Sequence, residues 1–213
     1  VRDLVMVDDR HRTVFGRFAT YFSDSVQRWD RPDPEFCAQA GLVCIDPWFN
    51  ADSELAARQC VAAGVPYVTI DCRPDSYLHR QSAANVVSGE FRGNHFAGRD
   101  EADLFAEYCA ASAGLVVFSS GSRPIRFGRQ GQTPALQEAF RVTAVSTLGA
   151  GDVFRAGIAF GLFKLVIGNL APCFAGFTFK LCPFAFEGVF VHNKTPLHSN
   201  KTALIRSQPN MAA

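Results

Sequence analysis

The chain has 213 residues, of which 48% are hydrophobic and 19% are charged, and its formal net charge is +1. A chain of this length and apolar content can bury a single core, which excludes disorder throughout. A net charge near zero, with basic residues scattered along the chain, creates no field that would attract nucleic acid or an anionic membrane.

The first part of the chain, residues 1–40, is polar and rich in Arg and Asp. Pro32 and Pro34 interrupt it, which predicts an irregular segment with at most short strands. From Gly41 onward the pattern changes to short, continuous apolar runs, which predict buried strands. These runs cover residues 42–45, 66–70, 85–88 and 115–119.

Helix signals separate these apolar runs. Polar and acidic residues from Asp52 begin one helix, which Gly64 ends, and Asp100 begins another, which Gly114 ends. Continuous apolar strands that alternate with helices are typical of a parallel sheet covered on both faces. The sequence therefore predicts an α/β fold with a doubly wound, mostly parallel sheet and flanking helices over residues 41–165.

The remainder of the chain divides into three stretches. A hairpin is predicted from Ile125, with a second strand that passes through Phe140 and Val142, and an apolar helix covers residues 153–162. Residues 166–213 are interpreted as a divergent, phenylalanine-rich segment followed by a disordered tail. A homodimer is compatible with so many phenylalanines, since exposed rings form interfaces.

Seven cysteines occur in the chain, without a C-x-x-C pair or a spacing typical of zinc ligands. The N-terminal residues have no apolar signal-peptide core. No stretch without charge is longer than residues 165–179, which are too few to span a bilayer. We therefore expect a cytoplasmic protein with no protein-bound metal and no membrane anchor.

One motif carries chemistry: Gly149, Ala150, Gly151 and Asp152 lie between a predicted strand and a helix. Two glycines let backbone N–H groups approach an anion, and the first turn of a helix adds positive partial charge. The aspartate could accept a proton from a hydroxyl that attacks phosphorus. The alternative is a glycine-rich turn in which Asp152 is only a helix-start carboxylate.

Two further aspartates, Asp46 and Asp71, follow predicted strands. In open α/β folds, ligands bind at the carboxyl ends of the strands, so both are site candidates. Helix capping is an equally good interpretation. His79 has no nucleophile motif beside it and is interpreted as an ordinary surface or core residue rather than a catalytic one.

Residues 145–157 (VSTLGAGDVFRAG) closely resemble the second signature of the ribokinase-like (PfkB) carbohydrate kinases. The turn at residues 118–123 resembles the family's strand end that lies against ATP. The segment at residues 71–74 resembles the strand end that precedes its nucleotide half. Together these resemblances cover residues 41–163 and imply a ribokinase-like fold.

The resemblance also implies roles for individual residues in an ATP-dependent sugar kinase. Asp152 would be the general base that deprotonates a sugar hydroxyl, and Mg²⁺ would arrive with ATP. The anion hole would consist of Gly149, Ala150 and Gly151. The ATP-binding residues would be Ser119, Gly121 and Ser122, with Ser88 and Glu90 in the place of the family's N-x-x-E segment.

The sequence departs from the family pattern at several points. Glu90 is one position off the N-x-x-E spacing, and the alternative interpretation is an exposed loop glutamate, since acidic residues are mostly on the surface. Ser146 stands where many members carry an aspartate for a monovalent cation, so dependence on such a cation is not predicted. The family's glycine-rich sugar-binding segment and lid strands have no counterpart in residues 1–40, and the pattern is lost after Leu162. A second interpretation is therefore a non-catalytic nucleotide-binding or interaction fragment that lacks the sugar site.

Overall fold

The computed structural model describes residues 4–7, 12–16, 27, 29–142, 147 and 149–167. Ser146, the phenylalanine-rich segment and the tail lie outside the described residues, and so does the homodimer prediction that rests on them. Two strands near the start, β1 (Leu4–Val7) and β2 (Arg12–Phe15), form an antiparallel hairpin.

Over the described residues, the main sheet has six strands in the order β3-β4-β5-β6-β7-β8. The first four are parallel, whereas β7 and β8 are added as an antiparallel meander. The sheet confirms the predicted fold class. The strands are β3 (Val43–Ile45), β4 (Tyr67–Ile70), β5 (Ala84–Ser88), β6 (Leu115–Ser119), β7 (Ile125–Gly128) and β8 (Ala135–Gln137).

Helices cover both faces of this sheet. Helix α6 packs against one face through Phe154, Ile158 and Ala159, whereas α2 and α5 lie on the other, where Ala57 and Phe105 are buried. Buried residues of β4, β5 and β6 alternate between the two faces, which accounts for their continuous apolar sequences. The helices are α1 (Pro34–Gln39), α2 (Ala51–Ala62), α3 (Tyr77–Gln81), α4 (Gly89–His95), α5 (Glu101–Ala111) and α6 (Ala150–Ile167).

Three features differ from the sequence-based expectation. Helix α5 ends at Ala111 with Ser112 as its C-cap, rather than at Gly114. The second strand of the hairpin lies at Ala135–Gln137, earlier than predicted, and the side chains of Phe140 and Val142 are exposed outside it. Helix α1 forms within the segment interpreted as irregular. Asp33 caps it by accepting a hydrogen bond from the Glu35 N–H, and Pro34 occupies the first turn, where a missing N–H costs nothing.

His79 is a core residue, with its side chain fully buried. Its Nδ1 accepts from the Asn85 amide at 3.0 Å, and its Nε2 donates to the Tyr108 carbonyl at 2.9 Å. Burial lowers the pKa of His79 and favours this neutral ring. The residue therefore ties α3 to β5 and α5 rather than serving a site.

Within the part of the chain that the structure describes, no helix is long and apolar enough to cross a membrane.

Candidate functional site

The carboxyl ends of the four parallel strands meet along one edge of the sheet. Asp46 follows β3, Asp71 follows β4, and Ser88 and Ser119 are the last residues of β5 and β6. Ligands of open α/β folds bind along such an edge, because the strand ends and the loops that follow them converge there. This edge is the candidate site.

Asp71 joins the ends of β4 and β5. Its backbone adopts a positive φ of 49°, and its carboxylate accepts from the Ser88 N–H at 2.6 Å and from the Ser88 hydroxyl at 3.1 Å. Burial raises the pKa of Asp71, and the two hydrogen bonds from Ser88 partly oppose that rise. Ser88 also caps α4 by accepting from the Phe91 N–H. Asp71 and Ser88 thus shape the edge of the sheet.

The remaining residues of the predicted nucleotide site face solvent. Glu90 is exposed in the first turn of α4, and Gly121 and Ser122 are exposed in the turn after β6. Gly121 has a φ of +61°, which favours glycine over residues with a Cβ. The Arg123 N–H closes this turn by donating to the Ser120 carbonyl at 3.2 Å.

Sequence reasoning missed Arg92, which joins this turn to the end of β5. Its side chain is 8% exposed, and the guanidinium donates to the carbonyls of Val87 and Ser119 at 2.8 and 3.3 Å. It also donates to the Ser120 hydroxyl and lies 4.3 Å from the centre of the Phe118 ring. Burial lowers the pKa of Arg92, yet a guanidinium remains charged. No sequence signal distinguishes it from a surface arginine.

The first turn of α6 carries the predicted anion hole. Gly149 has a φ of +76°, and both Gly149 and Gly151 have open space where a Cβ would lie. The Ala150 N–H donates to the Thr147 carbonyl at 3.2 Å, so it can contact a phosphate only if that bond is exchanged. The side chain of Asp152 is 73% exposed in this turn.

A second arginine places the first turn of α6 at the sheet edge. The Arg155 guanidinium lies 3.3 Å from Oδ2 of Asp46 and 3.6 Å from Oδ1 of Asp152. Asp46 also caps the short helical turn that follows β3, because its Oδ1 accepts from the Trp48 N–H at 3.1 Å. Asp46 therefore caps a helical turn, which was one of its two interpretations, and it also contacts Arg155 beside the predicted site.

Protein ligands for a metal ion do not gather at this edge. Over the described ranges, no group of three or more His, Cys, Asp or Glu side chains could hold an ion.

The family comparison agrees with the motif around Asp152. The model of the pfkB family carbohydrate kinases matches residues 7–169. The match begins at residue 7 rather than at residue 41, so the resemblance is longer than its motifs indicated. A search of curated proteins found no match.

Solved structures show a similar fold at low identity. Arabidopsis thaliana ribokinase complexed with ribose and ATP is 19% identical, with a TM-score of 0.60 over 76% of this chain and 56% of that one. A microbiome-derived acarbose kinase is 22% identical, with a TM-score of 0.58 over 88% and 60%. A putative ribokinase II from E. coli, in complex with ATP and Mg²⁺, is 14% identical, with a TM-score of 0.52 over 64% and 50%. The chain therefore matches half to three fifths of the length of these proteins.

Proposed function

Since the chain belongs to the pfkB family of carbohydrate kinases, we propose that it transfers the γ-phosphoryl group of ATP to a carbohydrate hydroxyl, with Asp152 as general base. The observation that carries this proposal is an exposed carboxylate in the first turn of α6, directly after Gly149-Ala150-Gly151 and at the carboxyl edge of the sheet. A cytoplasmic location, where ATP is available, belongs to the same proposal.

Asp152 would act on the attacking hydroxyl. Its carboxylate takes the proton while the sugar oxygen forms a bond to the γ-phosphorus. The bond between the γ-phosphorus and the oxygen that bridges to the β-phosphate breaks, and ADP leaves with that electron pair. The exposure of Asp152 supports this role, because a sugar hydroxyl can reach the carboxylate without displacing protein.

The first turn of α6 would stabilise the charge on the phosphoryl group in transit. Helix N-termini hold N–H groups without partners inside the helix, and their dipole favours an anion. The open space at Gly149 and Gly151 fits this role, because a Cβ there would stand between the backbone and a phosphate. Such preorganised donors often contribute the largest share of catalysis.

The nucleotide would bind beside the ends of β5 and β6. Ser119, Gly121 and Ser122 lie at and after the end of β6, and Glu90 lies in the first turn of α4. The turn after β6 is exposed, and the buried Arg92 side chain holds its first residues through hydrogen bonds to Ser119 and Ser120. Such a turn fits a site that must be both accessible and rigid. Mg²⁺ would enter with ATP and neutralise phosphate charge.

A second candidate function is considered because the chain matches only half to three fifths of the length of the compared kinases. The chain could bind nucleotide without phosphorylating sugar, since a sugar site requires several converging polar groups. The two functions differ in one measurable property, which is turnover.

The test pairs two measurements on the full chain. We expect sugar-dependent release of ADP with at least one member of a panel of pentoses, hexoses and oligosaccharides, and calorimetric binding of ATP. Binding of ATP without turnover of any sugar would favour the nucleotide-binding fragment. Absence of both would contradict the proposed function and its alternative together.

Gly151→Val tests the anion hole. ATP binds the folded state and should raise the melting temperature, with a stabilisation of about 2.7 kcal/mol at a hundred times the Kd. We expect the valine to abolish most of this shift, because its branched side chain blocks approach of phosphate to the backbone. The substitution should fold, since a Cβ at this position meets no atom within 4 Å.

Gly93→Val is the matched control for this experiment. Gly93 is an exposed glycine of α4 whose added Cβ would also meet no atom within 4 Å. We expect the control to keep the full ATP-induced shift. An equal shift in Gly151→Val and in the wild type would remove the phosphate site from this turn.

A further inference from the structure

Arg155 connects the predicted base to a strand end that is far away in the sequence. Its two terminal nitrogens reach different carboxylates: Nη1 lies 3.3 Å from Asp46, and Nη2 lies 3.6 Å from Asp152. Asp46 and Arg155 are separated by 109 positions in the chain. The guanidinium therefore bridges β3 and the first turn of α6.

Asp46 is held firmly enough to direct the arginine. Its second carboxylate oxygen accepts from the Trp48 N–H at 3.1 Å, and its carbonyl accepts from the Ser53 hydroxyl at 2.6 Å. Side-chain exposure is 16% for Arg155 and 30% for Asp46, so this contact is more shielded from water than a surface ion pair. A planar guanidinium that is fixed at one end has little freedom at the other.

The other end faces Asp152, whose side chain is 73% exposed. A carboxylate in the first turn of a helix can fold back onto the helix's own N–H groups, which are the groups proposed to bind phosphate. Arg155 lies three positions further along α6 and so draws the carboxylate away from those N–H groups. It also places a positive charge beside a base that would stand close to the γ-phosphate.

We propose that Arg155, anchored by Asp46, is a positioning residue that orients the Asp152 carboxylate for proton abstraction. This inference rests on the proposed function, in which Asp152 is the base. It assigns to Asp46 the part of an anchor and not of a substrate ligand.

The kinetic test uses Arg155→Met, which keeps much of the side-chain length and removes the charge. We expect kcat to fall about tenfold, because misplacement of a catalytic group by about 1 Å can cost up to a hundredfold. The KM for ATP should stay within about twofold, since binding and positioning are separate contributions. Arg155→Lys should recover part of the loss, because an ammonium can contact one carboxylate but cannot bridge two.

Arg99→Met is the matched control, since Arg99 pairs with Glu107 on an exposed surface at 2.7 Å. We expect its kcat to equal that of the wild type. An unchanged kcat in Arg155→Met would overturn the proposal, and so would a loss confined to the KM for ATP.

A second measurement separates this proposal from the proposed function. Urea unfolding of Asp46→Asn, Arg155→Met and the double variant should show coupling, with the double variant less destabilised than the sum of the single variants. Additive effects would overturn the bridge whatever the activity. If the variants show coupling but the wild-type protein turns over no sugar, the proposed function is contradicted, and with it the catalytic part of this inference.

Discussion

Asp152→Asn is expected to lower sugar-dependent turnover by about 10²–10⁴-fold, or roughly 3–5 kcal/mol of barrier, which is the usual contribution of a general base. Asparagine keeps the size of the side chain and cannot accept the proton. Affinity for ATP should stay the same or rise slightly. A carboxylate a few ångströms from the γ-phosphate repels it by about 1 kcal/mol in a water-like medium.

The measurements are initial rates of ADP release and calorimetric titration with ATP, for wild type and variant. Asp103→Asn provides the control, because Asp103 is an exposed acidic residue in the first turn of a different helix, α5. It should match the wild type in both assays. Turnover that survives Asp152→Asn would leave this carboxylate without a catalytic role, whereas loss of folding would be visible as a lower melting temperature.

Arg92→Leu is expected to lower the free energy of unfolding by about 3 kcal/mol, since buried acceptors that lose their donor cost about 1–3 kcal/mol each. The carbonyls of Val87 and Ser119 would lose the guanidinium, and the Phe118 ring would lose its cation. The turn after β6 would also lose a contact at Ser120. We therefore expect ATP to bind about tenfold more weakly, or about 1.4 kcal/mol.

Urea unfolding and calorimetric ATP binding measure the two effects separately. Arg99→Leu makes the same chemical change in an exposed ion pair, whose contribution should be within about 1 kcal/mol. Arg92→Lys should recover little of the lost stability or ATP affinity, because one ammonium cannot reach several acceptors in a fixed plane. Wild-type stability in Arg92→Leu would mean that the guanidinium is replaceable at this position. Wild-type affinity for ATP in Arg92→Leu would mean that Arg92 does not support the nucleotide site.

The sequence alone was sufficient to predict the central fold. Strands such as β4 and β6 are buried on both faces, and that burial appears directly as an uninterrupted apolar run. Asp100 marked the start of α5 because a helix N-cap is local chemistry, whereas Gly114 did not mark its end, which lies at Ala111. The family motif at residues 149–152 likewise depends on adjacent residues, so its resemblance could be seen without a structure.

Short elements were harder to predict. Helices α1, α3 and α4 have five to seven residues, too few to show a helical period, and such helices gain most of their stability from packing. Among the strands that the structure describes, β8 pairs only with β7 and lies at the edge of the sheet. The strand has three residues, of which Leu136 is exposed, and it lacks the apolar run that is typical of a central strand. The prediction therefore placed the strand at the more apolar residues that follow it.

The contacts that organise the candidate site were decided only by the tertiary structure. Arg155 meets Asp46 across 109 positions, and Arg92 meets Ser120 across 28. In the sequence, these arginines look like any solvated arginine, because charged residues are mostly exposed and nothing local marks the exceptions. Their burial follows from how the parallel strands bring their carboxyl ends to one edge, where loops distant in sequence become neighbours. The role proposed for Asp152 was therefore predicted from its own motif, whereas the contacts that Arg155 and Arg92 make at this edge depend on the folded sheet.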